Sequence, residues 1–176
     1  MKLRISAALA ALFIAFYTPF SYADDATRAR VVEALSAYES VPSQADWEKM
    51  GDVGPELLAL SQDTAGSPSV RSRATHALGY FPTDSHRDWL VSVLSDTGAR
   101  SGLRRSACYA LANGWDDEAL PLIRPALVAE DKQLRNAAAR AVGGIGSPAA
   151  RAVLEERLAT EADPMVLSTL KSLLGR

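Results

Sequence analysis

Two histidines, His76 and His86, and a single cysteine, Cys108, are the only imidazole and thiol groups in the chain. Such groups hold a transition metal when three or four converge, usually with carboxylates. Here the histidines stand ten residues apart with no carboxylate cluster beside them, so no metal site is expected. Cys108 follows Arg104 and Arg105 by about one helical turn. Nearby cations can lower a thiol's pKa and make it a nucleophile; the competing expectation is a small, semi-buried helix residue. A lone cysteine forms no internal disulfide. No nucleophile elbow or phosphate-cradling glycine loop is present, because Gly143-Gly144-Ile145-Gly146 follows a helical pattern instead of a strand and reads as a turn. These residues point away from catalysis, and no cofactor is expected.

The ends and the composition narrow the partners. MKLR supplies Lys2 and Arg4, ISAALAALFIAFY is an apolar run of 13 residues, and TPFSYA ends in small-x-small at Ala23. That is the pattern of a secretory signal peptide. A spanning helix needs roughly 20 apolar residues, and Pro19 interrupts this one. Residues 1–23 therefore read as a signal peptide cleaved after Ala23, giving a periplasmic or secreted protein that begins at Asp24. No cysteine near the cleavage point supports a lipid anchor, and no stable membrane insertion is expected after cleavage. Removing that segment, with Lys2 and Arg4, leaves 153 residues carrying 17 basic and 21 acidic groups, a net charge of −4. Such a balance argues against nucleic acid as the partner.

The elements that position the remaining polar residues repeat. "VRSRATHALG" at 70, "LRRSACYALA" at 103, "LRNAAARAVG" at 134 and "VLSTLKSLLG" at 166 align without gaps at spacings of 33, 31 and 32. Apolar residues fall at i, i+4, i+7 and i+8: Val70, Ala74, Ala77, Leu78; Leu103, Ala107, Ala110, Leu111; Leu134, Ala138, Ala141, Val142; and Val166, Leu170, Leu173, Leu174. That is one helical stripe. A second set of helices lies between, around Leu57-Leu58, Trp89-Leu90, Leu122-Ile123 and Val153-Leu154. Ser67-Pro68, Ser147-Pro148 and Asp163-Pro164 pair an N-cap residue with proline at the first helical position, and Asp116 and Asp131 are expected to cap two more starts. Pro121 and Pro125 predict a bent or broken helix. A stripe made of alanine buries too little to hold a helix alone, so residues 134–142 must be pressed between close neighbours.

A period near thirty residues, two helices per unit, is the signature of a solenoid. The string V/L-R-x-x-A-x-x-A-L/V-G/A resembles that of HEAT-repeat proteins, particularly the short bacterial HEAT-like units related to phycobilisome lyases. The resemblance implies an all-α fold: an α-solenoid of about four HEAT-like helix pairs over residues 51–176, preceded by an N-terminal capping helical segment over 24–50. The fourth string departs, with Leu167 where arginine is expected and Leu170 where alanine is, as befits a terminal cap. The resemblance further implies that Arg71, Arg104 and Arg135 pack as a structural ladder between repeats, pairing with acidic groups near the turns; Asp63, Asp96 and Asp131 are the candidates. The rival reading of that ladder is a basic binding surface. Iron-binding HEAT enzymes of the deoxyhypusine hydroxylase type use His-Glu dipeptides, whereas here Ala77 follows His76 and Arg87 follows His86.

The functional reading is then a non-enzymatic scaffold or adaptor that holds a protein or peptide on its concave face; the alternative is an accessory lyase-like protein handling a tetrapyrrole. At ~100° per residue, the third and seventh places of each string point away from the apolar stripe. They are Ser72 and His76, Arg105 and Tyr109, Asn136 and Arg140, and Ser168 and Ser172. These eight should form a two-column binding strip. Tyr109 between Arg105 and Arg140 is its centre, which favours a carboxylate-bearing partner segment. Should that strip fail, attention moves to the outer helices around Trp89 and Trp115.

Overall fold

The computed structural model describes residues 22–37 and 42–176, so the apolar N-terminal run lies outside the described residues. Among these residues the chain is helical throughout, in the order α1 (Tyr22–Ser36), α2 (Gln44–Met50), α3 (Gly54–Gln62), α4 (Pro68–Ala77), α5 (Asp84–Ser95), α6 (Ser101–Trp115), α7 (Leu120–Ile123), α8 (Lys132–Ile145), α9 (Pro148–Leu158) and α10 (Pro164–Leu174). Helices α4, α6, α8 and α10 carry the four aligned strings. Each packs on the next, α4 on α6, α6 on α8 and α8 on α10, to form a continuous inner wall. Helix α3 pairs with α4, α5 with α6, the α7 segment with α8, and α9 with α10. No two of these outer elements pack as closely as their inner counterparts do, so the stack bends toward the inner wall and makes it concave. The result is an all-α solenoid of four helix pairs. Helix α1 lies against α3 and α4 at one end, with Val31 and Leu35 buried.

Small side chains set that spacing. Ala107, Ala110, Ala137, Ala138, Ala139 and Ala141 are all buried, and each lets a neighbouring helix approach closely. At Gly79 the approach is closest: a β-carbon there would stand 2.6 Å from the Ala110 carbonyl oxygen. Gly143 works in the same way, since a β-carbon would stand 2.7 Å from Leu173 Cδ2. This corrects the expected turn at Gly143-Gly144. Helix α8 continues through both glycines to Ile145, and the left-handed residue that ends it is Gly146, with φ of 72°. Leu173, assigned to the buried stripe, is 36% exposed although it reaches Gly143 of the preceding repeat.

The starts follow local chemistry. Asp131 accepts from the Gln133 amide, Ser147 from Ala150, and Asp163 from Met165 and Val166. Ser67 makes no such bond and pairs with the Ser69 hydroxyl instead. Asp116 is not an N-cap; it ends α6 with φ of 44° and leads into a 3-10 turn. Pro121 and Pro125 break the third outer helix into a 3-10 turn at 116–119, the four-residue α7, and a second 3-10 turn at 124–128.

Candidate functional site

The predicted two-column strip lies on the inner wall. Ser72 and His76 come from α4, Arg105 and Tyr109 from α6, and Asn136 and Arg140 from α8; these six line one shallow depression of about 510 Å³ together with Gly102, Ser106, Gln133 and Ala137. Ser168 and Ser172 lie on α10 and line a second depression, with Leu167, Lys171 and Arg176. The columns run level from helix to helix. The rings of His76 and Tyr109, both seventh in their strings, have centroids 5.8 Å apart, and Tyr80 lies 6.4 Å from His76 on the other side.

Tyr109 is half-buried against the core. Burial raises its phenol pKa, while the Arg140 and Arg105 charges pull it back; the group is a neutral hydroxyl at physiological pH. His76 is pushed the other way, below the usual imidazole range, also by burial, and its Nε2 stands 3.5 Å from the Asn113 amide nitrogen. A buried Asn136 Oδ1 in the depression's floor has no hydrogen-bond partner among the described residues.

Charge is unevenly divided between the two sides of the solenoid. Helices α4, α6, α8 and α10 contain no aspartate or glutamate, yet they hold Arg71, Arg73, Arg104, Arg105, Lys132, Arg135, Arg140 and Lys171. The outer elements carry Glu56, Asp84, Asp88, Asp116, Asp117, Glu118, Glu155 and Glu156 against Arg87, Arg124, Arg151 and Arg157, and so are acidic on balance. The separation was visible in the four strings, but it becomes a surface only once those strings are known to share one wall. Most inner cations are already engaged; Lys132 lies 3.5 Å from Asp163. Arg105, Arg140 and Lys171 are different. All three are exposed, and among the described residues none makes a side-chain hydrogen bond or an ion pair within 4 Å. Arg105 feels Asp131 only at longer range.

The ladder arginines face the opposite edge of the same helices, and their partners differ from those expected. Arg71 Nε donates to the Ser61 carbonyl at 2.8 Å, and Arg104 Nε to the Leu94 carbonyl at 3.1 Å. Arg135 Nη1 donates to the carbonyls of Ala129 and Glu130, each at 2.8 Å. These are orphan carbonyls at the C-terminal ends of the outer elements, where a helix's unpaired acceptors and dipole both favour a cation. The acids proposed as partners are occupied elsewhere: Asp63 accepts from Ala65 and Gly66, Asp96 from Gly98, and Asp131 from Ser101 and Gln133. Two arginines not singled out from the sequence repeat the device. Arg73 donates to the Leu35 and Ala37 carbonyls at the end of α1, and Arg151 to that of Leu174 at the end of α10.

Arg135 has a second partner. Its Nε and Nη2 reach Glu161 at 3.0 and 3.2 Å, and Arg157 Nη2 reaches the same carboxylate at 2.5 Å. The Glu161 side chain is 2% exposed. Burial alone would raise its pKa, but Arg135, the amides of Asp163 and Ala162, and Arg157 outweigh that and hold it at about 2.

Cys108 is completely buried, and burial drives its pKa up to about 12 against the weaker opposing effect of Arg104. It is the small core residue of the two readings, not the nucleophile. His86 is buried with Nδ1 2.6 Å from the Phe81 carbonyl. Trp89, on the outer side, donates Nε1 to Ser61 Oγ at 2.6 Å, and Ser61 pairs with Thr75 at 2.7 Å. Among the described residues no three His, Cys, Asp or Glu side chains are placed to hold a metal ion.

Residues 99–174 match the family model for HEAT repeats. A chain from the complex of CpcE and CpcF of phycocyanin lyase from Nostoc sp. PCC7120 is similar in structure, with a TM-score of 0.63 and 18% sequence identity over 85% of this chain and 99% of that chain. At that identity the likeness is one of fold. Among curated proteins, none matches the chain in sequence.

Proposed function

We propose that this HEAT-repeat solenoid is an exported, non-enzymatic adaptor whose concave wall holds an acidic stretch of a partner protein. One observation carries the reading: Arg105 and Arg140 stand exposed in one depression of an inner wall whose helices hold no carboxylate, without a bonded partner among the described residues. Elsewhere the arginines of these helices are fixed on carbonyls or Glu161. Two cations left free beside a half-buried tyrosine are groups suited to carboxylates arriving from outside. The outer acids add long-range repulsion that steers an acidic segment toward the inner wall.

Labelled poly-glutamate tests this directly. It should bind the purified protein at low salt, weaken as salt screens the charges, and lose most of its affinity to an Arg105→Glu/Arg140→Glu double variant. Equal binding by wild type and the double variant would exclude the strip. Export is tested separately by sequencing the N-terminus of the mature protein, expected at Asp24; an intact Met1 in the mature pool would overturn it. The tetrapyrrole alternative draws on a fold shared with a phycocyanin lyase chain. A visible absorption band in the purified protein would favour it over the adaptor reading.

A further inference from the structure

We infer that the partner segment carries an aromatic side chain among its acids, seated on the His76 and Tyr109 rings while Arg105 and Arg140 hold its carboxylates. The inference rests on the acidic-segment reading and adds a second recognition element to it.

The depression has two unlike ends. A β-carbon at Gly102 would stand 3.8 Å from Ser72 Oγ and 3.9 Å from Arg105 Nη2. The Arg105 side chain therefore folds back over the start of α6, as long helical side chains do, and its guanidinium lies on the Ser72 side. Toward the other end come the rings: His76 and Tyr109 have centroids 5.8 Å apart, and Tyr80 stands 6.4 Å from His76. Arg140 reaches this row from α8, and its charge acts on the Tyr109 phenol more strongly than that of Arg105 does.

At neutral pH His76 belongs with the rings and not with the cations. Burial holds its imidazole below the usual range, and the groups beside it, Tyr80, Tyr109 and Asn113, bring no carboxylate to charge it. The rings are tilted by 49° and 33° instead of stacked flat, so none covers the face of another. His76 and Tyr109 are half-buried and line the depression, which leaves part of each ring open to a ligand. A segment of acids alone would engage the arginines and leave this shelf wet. An aromatic side chain among the acids covers it, adding attraction between rings to the area buried. A lysine or arginine at that place would be repelled by Arg105 and Arg140. Arg105 and Tyr109 lie one helical turn apart on one face of α6, so a single short segment reaches both elements.

Three labelled peptides on a neutral background test this with the purified full chain at low salt, read by fluorescence anisotropy. The first carries phenylalanine between glutamates, the second has alanine in place of the phenylalanine, and the third keeps phenylalanine between glutamines. The first is expected to bind about fivefold tighter than the second, the scale of one aromatic pair, and about tenfold tighter than the third, the scale of two exposed ion pairs. His76→Ala should bring the first two peptides within twofold of each other and keep the preference for glutamate; His76→Phe should restore the preference for phenylalanine. Arg140→Gln should do the opposite, narrowing the glutamate preference and keeping the phenylalanine preference. Circular dichroism checks that each variant is folded, and the wild-type comparison stands without them. Equal binding of the first two peptides by wild type would overturn the ring and leave the acidic-segment reading standing. A phenylalanine preference unchanged in folded His76→Ala would overturn its seat on this shelf. Equal binding of the first and third peptides would overturn the acidic-segment reading and this inference with it.

Discussion

Arg104 and Arg105 are neighbours in sequence and opposites in use. Arg104 is half-buried, with its guanidinium on the Leu94 carbonyl near the end of α5; Arg105 is exposed and holds no partner within bonding distance among the described residues. One residue of helix turns a side chain by ~100°, enough to move it from the seam between inner and outer helices to the open wall. The same chemistry thus splits into two roles along the inner helices. On the seam, a cation replaces missing helix hydrogen bonds; on the wall, it awaits an anion. Residue type alone distinguishes nothing here, and phase distinguishes everything.

The seam should break first and hardest at its buried node. Glu161→Gln leaves Arg135 and Arg157 facing each other without a carboxylate, and losing one partner of a buried charged group costs roughly 3–5 kcal/mol. Urea denaturation at neutral pH measures it. The same carboxylate gives a pH signature. With a folded pKa of about 2 against the ordinary 4.5, its contribution is complete above pH 4.5 and is lost as pH falls through 2. That contribution is about 3 kcal/mol. The stability difference between wild type and Glu161→Gln should therefore shrink on acidification across that window; a gap constant from pH 5 to 2 would contradict the assignment.

Arg104→Ala comes next. It strips the cation from the end of α5, a loss of about 1–2 kcal/mol, lowering Tm by roughly 2–8 °C for a chain of this size. Its affinity for an acidic peptide should stay within about twofold. Arg140→Glu should show the reverse: Tm nearly unchanged, since exposed substitutions usually stay within ~0.5 kcal/mol, and at least tenfold weaker binding, about 1.4 kcal/mol. Tyr109→Ala should weaken binding as much but also lose stability, because the ring packs on the core. If Arg104→Ala and Arg140→Glu changed the same property, the division between seam and wall would collapse. The smallest expected effect is at Cys108, whose thiol should resist aromatic disulfide reagents at pH 8 until the protein is unfolded; prompt labelling of the native form would contradict its burial.

The repeats, their period, the break at Pro121 and Pro125, and the grouping of six strip residues were all legible in the sequence. Each follows from phase along one helix, which a one-dimensional string records. The ladder's partners were not legible. Asp63, Asp96 and Asp131 lie near the right turns, yet each is consumed by local amides, as short acidic side chains in turns commonly are. A backbone carbonyl as acceptor leaves no residue type to read. Glu161 was missed for a related reason: it lies 26 residues from Arg135 in the next repeat, and only the stacking brings them together. Gly143 misled because a glycine that ends a helix and one that admits a neighbouring side chain are the same letter.

The Glu161 node also bears on how the molecule opens. Arg71 and Arg104 each bond within their own helix pair, and between the first two pairs the tie is the neutral bond from the Trp89 indole to Ser61. Arg135 bonds carbonyls of its own pair and a carboxylate of the next. A solenoid of equal repeats frays from its ends, one unit at a time. Here the last described pair, α9–α10, carries Glu161 and Arg157 together and cannot detach without separating that buried anion from Arg135, so it unfolds together with α8. Amide hydrogens of α8 and α10 should exchange as one cooperative block, which keeps the far end of the concave wall in register with its centre.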